Sequence, residues 1–151
     1  MRISSAILDT NILVRLMVKS DPEHSLVRSC LLGCIQNEVE TFITTQNLHE
    51  AWAVLTRPRE SNGYGFSVEQ TAEAIQRLRA LFPVLYESED SLETWSRICR
   101  QHGVIGRQAH DARLVAIALS ENVQHILTLN PVDFERYRPL ITPVHPQDIL
   151  P

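Results

Sequence analysis

The sequence predicts an α/β fold in which a central parallel sheet is covered by helices on both faces. Helical patterns alternate with short β-branched or aromatic runs, and this alternation is typical of parallel sheets. The 151 residues are 44% hydrophobic and 21% charged, an ordinary globular composition that suits one domain with a sizeable core. No internal repeat, low-complexity tract or linker divides the sequence, so we expect a single domain over residues 1–151.

A strand and a helix enclose the first acidic residue of the chain. Residues 3–8 (ISSAIL) form a largely apolar run that predicts a strand, and residues 11–20 (NILVRLMVKS) predict a helix. Asp9 lies between them, where Asp9 or Asn11 can cap the helix. An unpaired carboxylate is costly to bury, so Asp9 requires a cap position, a partner or a cation.

The next segment predicts two helices separated by a strand. Asp21 is expected to be an N-cap, with Pro22 at the first helical position and the helix continuing through residues 23–38. Residues 40–45 (ETFITT) are β-branched and aromatic and predict a strand. Residues 47–57 (NLHEAWAVLTR) predict a helix that stops at the following proline.

The second half begins with a loop and continues the alternation. Residues 57–65 (RPRESNGYG) are rich in helix breakers and long enough to be mobile. Ser67 and Gln70 form a capping box that starts a helix over residues 67–82. The remaining predicted elements are a short strand at 83–86, helices at 91–104 and 110–123, a strand at 125–129 and an extended end at 140–150.

Charge, cysteine content and hydropathy restrict the function classes. The net charge is −4 and the pI is near 5.8, so no global basic field indicates nucleic-acid binding. The three cysteines show no metal-binding spacing, and Cys30 and Cys34 are expected to be buried, reduced thiols. The sequence shows neither a signal-peptide pattern nor an apolar run of membrane-spanning length, so we expect a soluble cytoplasmic protein without a membrane partner.

Four acidic residues stand at similar places in the predicted elements. Asp9 ends the first strand, and Asp133 follows the strand near the end of the chain. Glu50 lies in a helix that is apolar nearly all round, and Asp111 opens a helix with an unbroken apolar run at 114–119; both patterns predict buried helices. Each acid alone also has a structural explanation, as a helix cap, a turn residue or a first-turn acid favoured by the helix dipole.

Taken together, the four acids predict a cation site. The carboxyl ends of parallel strands meet at one edge of the sheet, where such folds place their sites. Carboxylates gathered there repel one another and must protonate or share a cation. Oxygen ligands without a Cys or His cluster favour a hard ion, Mg²⁺ or Mn²⁺. One such ion, or a pair, can activate water and stabilise a phosphoryl displacement.

With these residues in place, the chain resembles the PIN-domain ribonucleases, most closely the VapC-type toxins of toxin–antitoxin pairs. The resemblance covers essentially the whole chain and rests on the ordered stretches ILDTNILV, LHEAWAVLTRP, HDARLVAIAL and ILTLNPVDFERY. It implies a PIN-like fold with a central parallel sheet, and metal-dependent hydrolysis of RNA phosphodiester bonds. It also implies a homodimer that is neutralised by a small cognate antitoxin.

The resemblance also implies roles for particular residues. Asp9, Glu50 and Asp111 would form the acidic triad that holds Mg²⁺ or Mn²⁺, and Thr10 and Asn11 would orient Asp9 and bond to its neighbours. In the implied mechanism Asp9 and Asp111 bind the ion most directly. Glu50 binds it as well, or takes a proton from the attacking water.

The fourth acidic place of the family falls in TLNPVDF, where this chain departs from the pattern. The position two after Thr128 is Asn130, which can ligate a metal or hold a metal-bound water but brings no charge. Asp133 either compensates for it or only caps the following turn. The missing acid at position 130 puts a second metal site in question more than it puts nuclease activity in question.

Substrate phosphates would require cations near the acids. The candidates are Arg57, Arg59, Arg107 and Arg113. Each is also explained as a solvated surface arginine, and His110, beside Asp111, as a packing or surface histidine. Because the chain is acidic overall, RNA binding is expected to be local, metal-assisted and of modest affinity.

Three alternatives stay open at this point. Asn130 fits a PIN-like binding module that has lost catalysis. A receiver-type phosphoacceptor would need a lysine after a late strand, whereas the only lysine is Lys19. A flap or 5′ nuclease of the same broad fold would bring a longer chain and more acids.

Overall fold

The computed structural model describes residues 2–151 and contains one sheet of five strands. All strand pairs are parallel, and the spatial order is β3-β2-β1-β4-β5. The strands are β1 (Ser5–Leu8), β2 (Glu40–Thr44), β3 (Val84–Leu85), β4 (His125–Leu127) and β5 (Thr142–Val144). The predicted α/β fold class with a parallel central sheet is therefore confirmed. The two edges are blunt, because β3 pairs through only two residues and β5 carries Pro143.

Helices cover both faces of the sheet, as predicted. They are α1 (Thr10–Met17), α2 (His24–Gln36), α3 (Thr45–Thr56), α4 (Val68–Leu81), α5 (Glu89–Gln101) and α6 (Gln108–Ser120), with 3₁₀ turns at Arg59–Ser61, Pro131–Tyr137 and Pro146–Asp148. Successive side chains of a strand point to opposite faces. Ala6 and Leu8 of β1 accordingly pack with α1 and α2, whereas Ile7 packs with α6.

The start of α2 differs from the prediction. The helix begins at His24 with Glu23 at the N-cap position, and Asp21 makes no cap bond to it. The Asp21 carboxylate instead accepts hydrogen bonds from the Glu23 N–H at 2.8 Å and from the Tyr64 hydroxyl at 2.6 Å. Arg15 lies 3.5 Å from the same carboxylate. These contacts hold Asp21 in the turn that leads into α2, two residues before the N-cap.

Helix α3 is not buried on all sides, which corrects the prediction made from its apolar sequence. It packs on α1 and α4 through one face that includes Ala51 and Leu55. Trp52 is 38% exposed, and Ala53 is also exposed. The apolar outer face is therefore protein surface in the described chain, and the hydrophobic pattern alone does not distinguish such a surface from a core.

The 57–65 segment, predicted to be a loop long enough to be mobile, folds back tightly on the end of α3. The Gly65 N–H donates to the Arg57 carbonyl at 2.9 Å, and the Phe66 N–H donates to the Leu55 carbonyl at 2.8 Å. A Cβ on Gly63 would lie 1.9 Å from the Arg57 carbonyl oxygen, so only glycine permits this approach. The N–H groups of Gly65 and Phe66 thereby bond to backbone carbonyls at the end of α3 that have no partner within the helix.

Two smaller predictions are also settled. Cys30 and Cys34 are buried, free cysteines, as expected. The capping box of Ser67 and Gln70 starts α4 with both reciprocal hydrogen bonds present. None of the helices in residues 2–151 is long and apolar enough to cross a lipid bilayer.

Candidate active site

Several of the predicted site residues lie at the carboxyl edge of the sheet, whereas Arg57 lies at the opposite end of α3. Strands β1, β2 and β4 run parallel and end side by side. Asp9 follows β1, Thr44 ends β2, and Thr128 follows β4. Parallel pairing thus brings together side chains that are far apart in the sequence, at the edge where sites of such folds are found.

Asp9 is the N-cap of α1, as predicted, and it is held by neutral donors. Its Oδ1 accepts the Thr10 N–H at 2.8 Å, and its Oδ2 accepts the Thr128 hydroxyl at 2.8 Å and the Asn11 amide at 3.3 Å. The Oδ1 atom of the Asn11 side chain in turn accepts a hydrogen bond from the Leu129 N–H at 3.2 Å. Asp9 is therefore fixed in orientation, and each of these partners leaves its negative charge uncompensated.

Thr10 is tied to β2 through Asn47, a residue that the sequence reading missed. The Asn47 amide donates to the Thr10 hydroxyl at 3.0 Å, and its carbonyl oxygen accepts the Thr44 N–H at 2.8 Å. The Thr44 hydroxyl accepts the Asn47 N–H in return, which completes a capping box at the start of α3. The signal in the sequence is a threonine followed three residues later by an amide side chain.

Glu50 points towards α6 and is held by Gln46, a second residue that the sequence reading missed. The Gln46 Nε2 group donates to Glu50 Oε1 at 2.7 Å and to the His110 carbonyl oxygen at 2.9 Å. His110 immediately precedes Asp111. Gln46 is only 3% exposed, and its Oε1 atom is buried without a partner. One side chain thereby links the helix that bears Glu50 to the helix that bears Asp111.

Asp111 lies in the first turn of α6, three residues after the helix begins at Gln108, and is not its N-cap. The helix behind it is buried from Leu114 to Ala118, as predicted. The Trp95 indole donates to the Ala109 carbonyl at 2.8 Å and fixes this first turn against α5. Asp111 is half-buried at the mouth of a rigid helix.

The electrostatics of the site follow from burial and from the mutual repulsion of its acids. Burial, with smaller contributions from the charges of Glu50 and Asp133, raises the pKa of Asp9 to about 6, although the hydrogen bonds from Thr128 and Thr10 act in the opposite direction. Burial raises the pKa of Asp111 to about 7, with additional contributions from Asp9, Asp133 and Glu50. The charges of Glu50 and Asp133 therefore act on both Asp9 and Asp111.

Asn130 and Asp133 lie at the open side of this group. Both are exposed, and Asn130 uses its backbone N–H to donate to the Thr128 hydroxyl at 3.0 Å. Asp133 lies in the first turn of the 3₁₀ segment Pro131–Tyr137, whose cap position is Asn130. Asn130 carries no charge, whereas the negative charge of Asp133 contributes to the raised pKa values of Asp9 and Asp111.

The predicted arginines are placed differently from one another. Arg57 caps the end of α3, and Arg107 precedes α6; both are exposed. Arg113 forms an ion pair with Glu87, which occupies its guanidinium. Arg59 and His110 are exposed. Arg113 is thus the candidate least available to a phosphate.

The donor set fits a hard divalent ion bound through few protein atoms. Among residues 2–151, no three His, Cys, Asp or Glu side chains form a ready-made ligand cage. Mg²⁺ usually binds through one or two carboxylates and keeps several waters. Asp9 and Asp111, whose pKa values are raised by burial and by neighbouring acids, provide two carboxylates in this way. Glu50 and the Asn130 amide are the further oxygen donors within the group.

The raised pKa of Asp111 predicts that this residue destabilises the metal-free protein at alkaline pH. The folded state holds the Asp111 proton up to about pH 7, whereas the unfolded state releases it near the ordinary aspartate pKa of 3.8. The free energy of unfolding therefore falls as the pH rises between these values. In EDTA at pH 8, Asp111→Asn should be more stable than wild type by roughly 1–2 kcal/mol, after allowance for partial exposure. Urea unfolding at pH 8 and pH 4 measures this difference, which should shrink at pH 4.

The matched control for Asp111→Asn is Glu121→Gln, which removes an exposed carboxylate at the other end of the same helix. Its stability relative to wild type should not vary in this way with pH. An equal pH dependence in both variants would show that overall charge, and not the site, is responsible.

Gln46 predicts a second measurable effect, because its two hydrogen bonds fix Glu50 against α6. Gln46→Met keeps the volume but removes both bonds. We expect Mn²⁺ affinity, measured by calorimetry, to fall roughly tenfold, as for other residues that orient metal ligands. In a Glu50→Gln background the same substitution should have little further effect. An equal loss in both backgrounds would mean that Gln46 acts only on general stability; Gln76→Met, on an exposed face of α4, is the control.

Comparison with known proteins identifies the family and supports the fold. The PIN domain family profile matches residues 6–138. One similar solved structure is VapBC2 from Rickettsia felis bound to a DNA fragment from its own promoter. It is 16% identical in sequence, has a TM-score of 0.66, and the match covers 93% of this chain and 98% of that chain. A toxin–antitoxin complex from Klebsiella pneumoniae is 20% identical with a TM-score of 0.63, over 93% and 97%.

A third solved structure is described as a sarcin–ricin loop cleaving toxin, VapC20 from Mycobacterium tuberculosis. It is 18% identical with a TM-score of 0.57, over 82% of this chain and 87% of that chain. No curated protein matches the sequence significantly. The profile match spans most of the chain and includes the segments that bear Asp9, Glu50 and Asp111. The chain therefore belongs to the PIN domain family, and its fold is that of the VapC-type toxins.

Proposed function

We propose that the protein is a Mg²⁺- or Mn²⁺-dependent endoribonuclease that acts as the VapC-type toxin of a toxin–antitoxin pair. The observation that carries this proposal is the group of Asp9, Glu50 and Asp111 at the carboxyl edge. Their charges act on one another, yet none of the three ion pairs found in residues 2–151 includes any of them. A site left acidic in this way is suited to a cation and to an anionic substrate that reaches it through that cation.

The protein side of the mechanism is the orientation of three carboxylates. Asp9 presents its oxygens in a direction set by the Thr10 N–H and the Thr128 hydroxyl. Gln46 sets the direction of Glu50. Such preorganisation means that little reordering is needed during the reaction. Asp9 and Asp111 would hold the metal, and Glu50 would join them or accept a proton from the attacking water.

A bound divalent ion would favour the ionised forms of Asp9 and Asp111, lower the pKa of a bound water and stabilise charge on the phosphate. Asn130 stands where the family has a further acid, so we infer one tightly held ion. Asp133 adds negative charge at the open side of the site, and this charge contributes to the raised pKa values of Asp9 and Asp111.

RNA is the substrate that the family and its neighbours favour. VapC20, similar in fold, is described as cleaving the sarcin–ricin loop, and this description applies to that protein. The receiver-type alternative does not fit a member of the PIN domain family, and Lys19 is exposed in the turn between α1 and α2. The binding module that has lost catalysis is the alternative that the experiment must separate.

The test is cleavage of mixed cellular RNA by the purified, antitoxin-free protein with Mg²⁺, Mn²⁺ or EDTA. We expect cleavage with either metal and none in EDTA. Asp9→Asn and Asp111→Asn should each reduce the rate roughly a hundredfold or more, because each removes a carboxylate that would hold the ion. Glu121→Gln should cleave like wild type.

Cleavage that persists in EDTA or in both asparagine variants would contradict the proposed site. A folded protein that cleaves no RNA with either metal would instead support the binding module.

We further propose that the chain forms a homodimer and binds its antitoxin through two apolar surfaces. The α3 surface consists of Leu48, Trp52, Val84 and Tyr86, around a hollow of about 480 Å³. The α2–α4 surface consists of the exposed Leu32, Ile35 and Leu81, beside a hollow that the buried Leu31 and Phe82 also line. Exposed apolar patches of this kind mark interaction sites. We assign the dimer to the α3 surface, because Trp and Tyr carry much of the binding energy in interfaces, and the antitoxin to the α2–α4 surface.

Sedimentation of the isolated protein tests the assignment of the dimer. Trp52→Glu should shift the chain towards monomer, since it places a charge among apolar residues that the partner would bury. Ile35 is 73% exposed on the α2–α4 surface, so Ile35→Glu should leave the dimer intact. The opposite pattern would exchange the two surfaces.

A further inference from the structure

The acidic chain contains a basic segment that leads directly to Asp111. Residues 94–110 (TWSRICRQHGVIGRQAH) include three arginines and two histidines and no acid, although the net charge of the protein is −4. The segment comprises the second half of α5, the following turn and the first turn of α6. The segment is therefore locally basic and ends directly before Asp111.

Four arginines of this region form what we call the basic surface: Arg97, Arg100, Arg107 and Arg136. Arg97 and Arg100 are exposed and line one hollow of about 380 Å³ together with Gln101. They are three residues apart in α5, so they lie on the same face of the helix. Arg107 is exposed at the start of α6.

Arg136 joins the two helices beside the acids. Its guanidinium donates to Gln108 Oε1 at 2.6 Å and also to the His102 carbonyl oxygen. Gln108 is the first residue of α6, and Asp111 follows three residues later. The buried Tyr137 hydroxyl is influenced by both groups, since Arg136 lowers its pKa and Asp111 raises it, after the larger effect of burial. The end of α5 and the mouth of the acidic site are therefore neighbours.

Fold stability accounts for only part of this placement of charge. The helix dipole favours Arg100 in the last turn of α5 and Arg136, which donates to the His102 carbonyl at that helix end, but it disfavours Arg107 at the start of α6. Within residues 2–151, none of the four arginines forms an ion pair with an acid. The charges of Arg97, Arg100 and Arg107 are left available to a ligand, whereas Arg136 is already held by Gln108 and the His102 carbonyl.

We propose that the basic surface binds backbone phosphates of single-stranded RNA and guides the strand to the acids. This inference rests on the proposed nuclease function. The acids repel a polyanion, and the protein as a whole does too, so an approaching strand requires a local positive field. Arginine suits this task because its planar guanidinium contacts phosphate oxygens in pairs. The contacts would be independent of base sequence.

Binding of a 12-nucleotide 2′-O-methyl RNA in EDTA tests this surface apart from cleavage. The double variant Arg97→Gln/Arg100→Gln should bind roughly tenfold more weakly at low salt. Its slope of log affinity against log salt should fall by about 1.4, the amount expected for two lost phosphate contacts to a single strand. Arg97 and Arg100 are exposed, so the double variant should fold.

The matched control is Arg28→Gln/Arg77→Gln, which changes the net charge equally on exposed positions of α2 and α4. It should bind RNA within twofold of wild type. Equal losses in both double variants would overturn the proposal in favour of a global charge effect. Unchanged RNA binding by Arg97→Gln/Arg100→Gln would also overturn it, and weaker binding of polyglutamate by that variant would then identify a protein-docking surface.

The two proposals fail separately in these experiments. If wild type cleaves no RNA but its binding depends on Arg97 and Arg100, the surface stands and the nuclease does not. If wild type cleaves RNA and the double variant has an unchanged KM, the nuclease stands and the surface does not.

Discussion

The hydrogen bonds to the Asp9 carboxylate determine how the site is organised. Asp9 must remain close to the sheet, because its own N–H donates to the Leu127 carbonyl at 2.9 Å as β1 ends. Its side chain is then held by Thr10, Asn11 and Thr128, which belong to two different strand ends. All of these donors are neutral, so they fix the carboxylate without neutralising it. The position of the first acid is thus part of the same bonding that joins β1 to β4.

The other acids depend on this arrangement through α3. Asn47 connects Thr10 to the end of β2, and Gln46, its neighbour, connects Glu50 to the first turn of α6. Two consecutive amide side chains therefore relate three elements that are distant in sequence. The cost is electrostatic: burial and the neighbouring acids raise the pKa values of Asp9 and Asp111, and this is the usual exchange of stability for a functional site.

Local signals predicted much of the fold and only part of the site. Alternation of helical and β-branched runs was enough for the parallel sheet, and the residue type at position 9 was enough for its cap. Gln46 was missed because its partner His110 is 64 residues away and neither residue belongs to a recognisable motif. The exposure of Trp52 was missed because an apolar helix face has the same sequence pattern whether it meets a core or a partner.

The blunt edges of the sheet restrict how the chain can associate. An open edge strand offers a row of free backbone groups to any other chain that can extend alongside it. Here β3 offers two residues, and Pro143 in β5 lacks an N–H to donate. Backbone pairing, which is indifferent to side chains, is thereby disfavoured. Recognition is left to helix surfaces, where the identity of each side chain matters, so that this protein can select its partners and avoid indiscriminate stacking with itself.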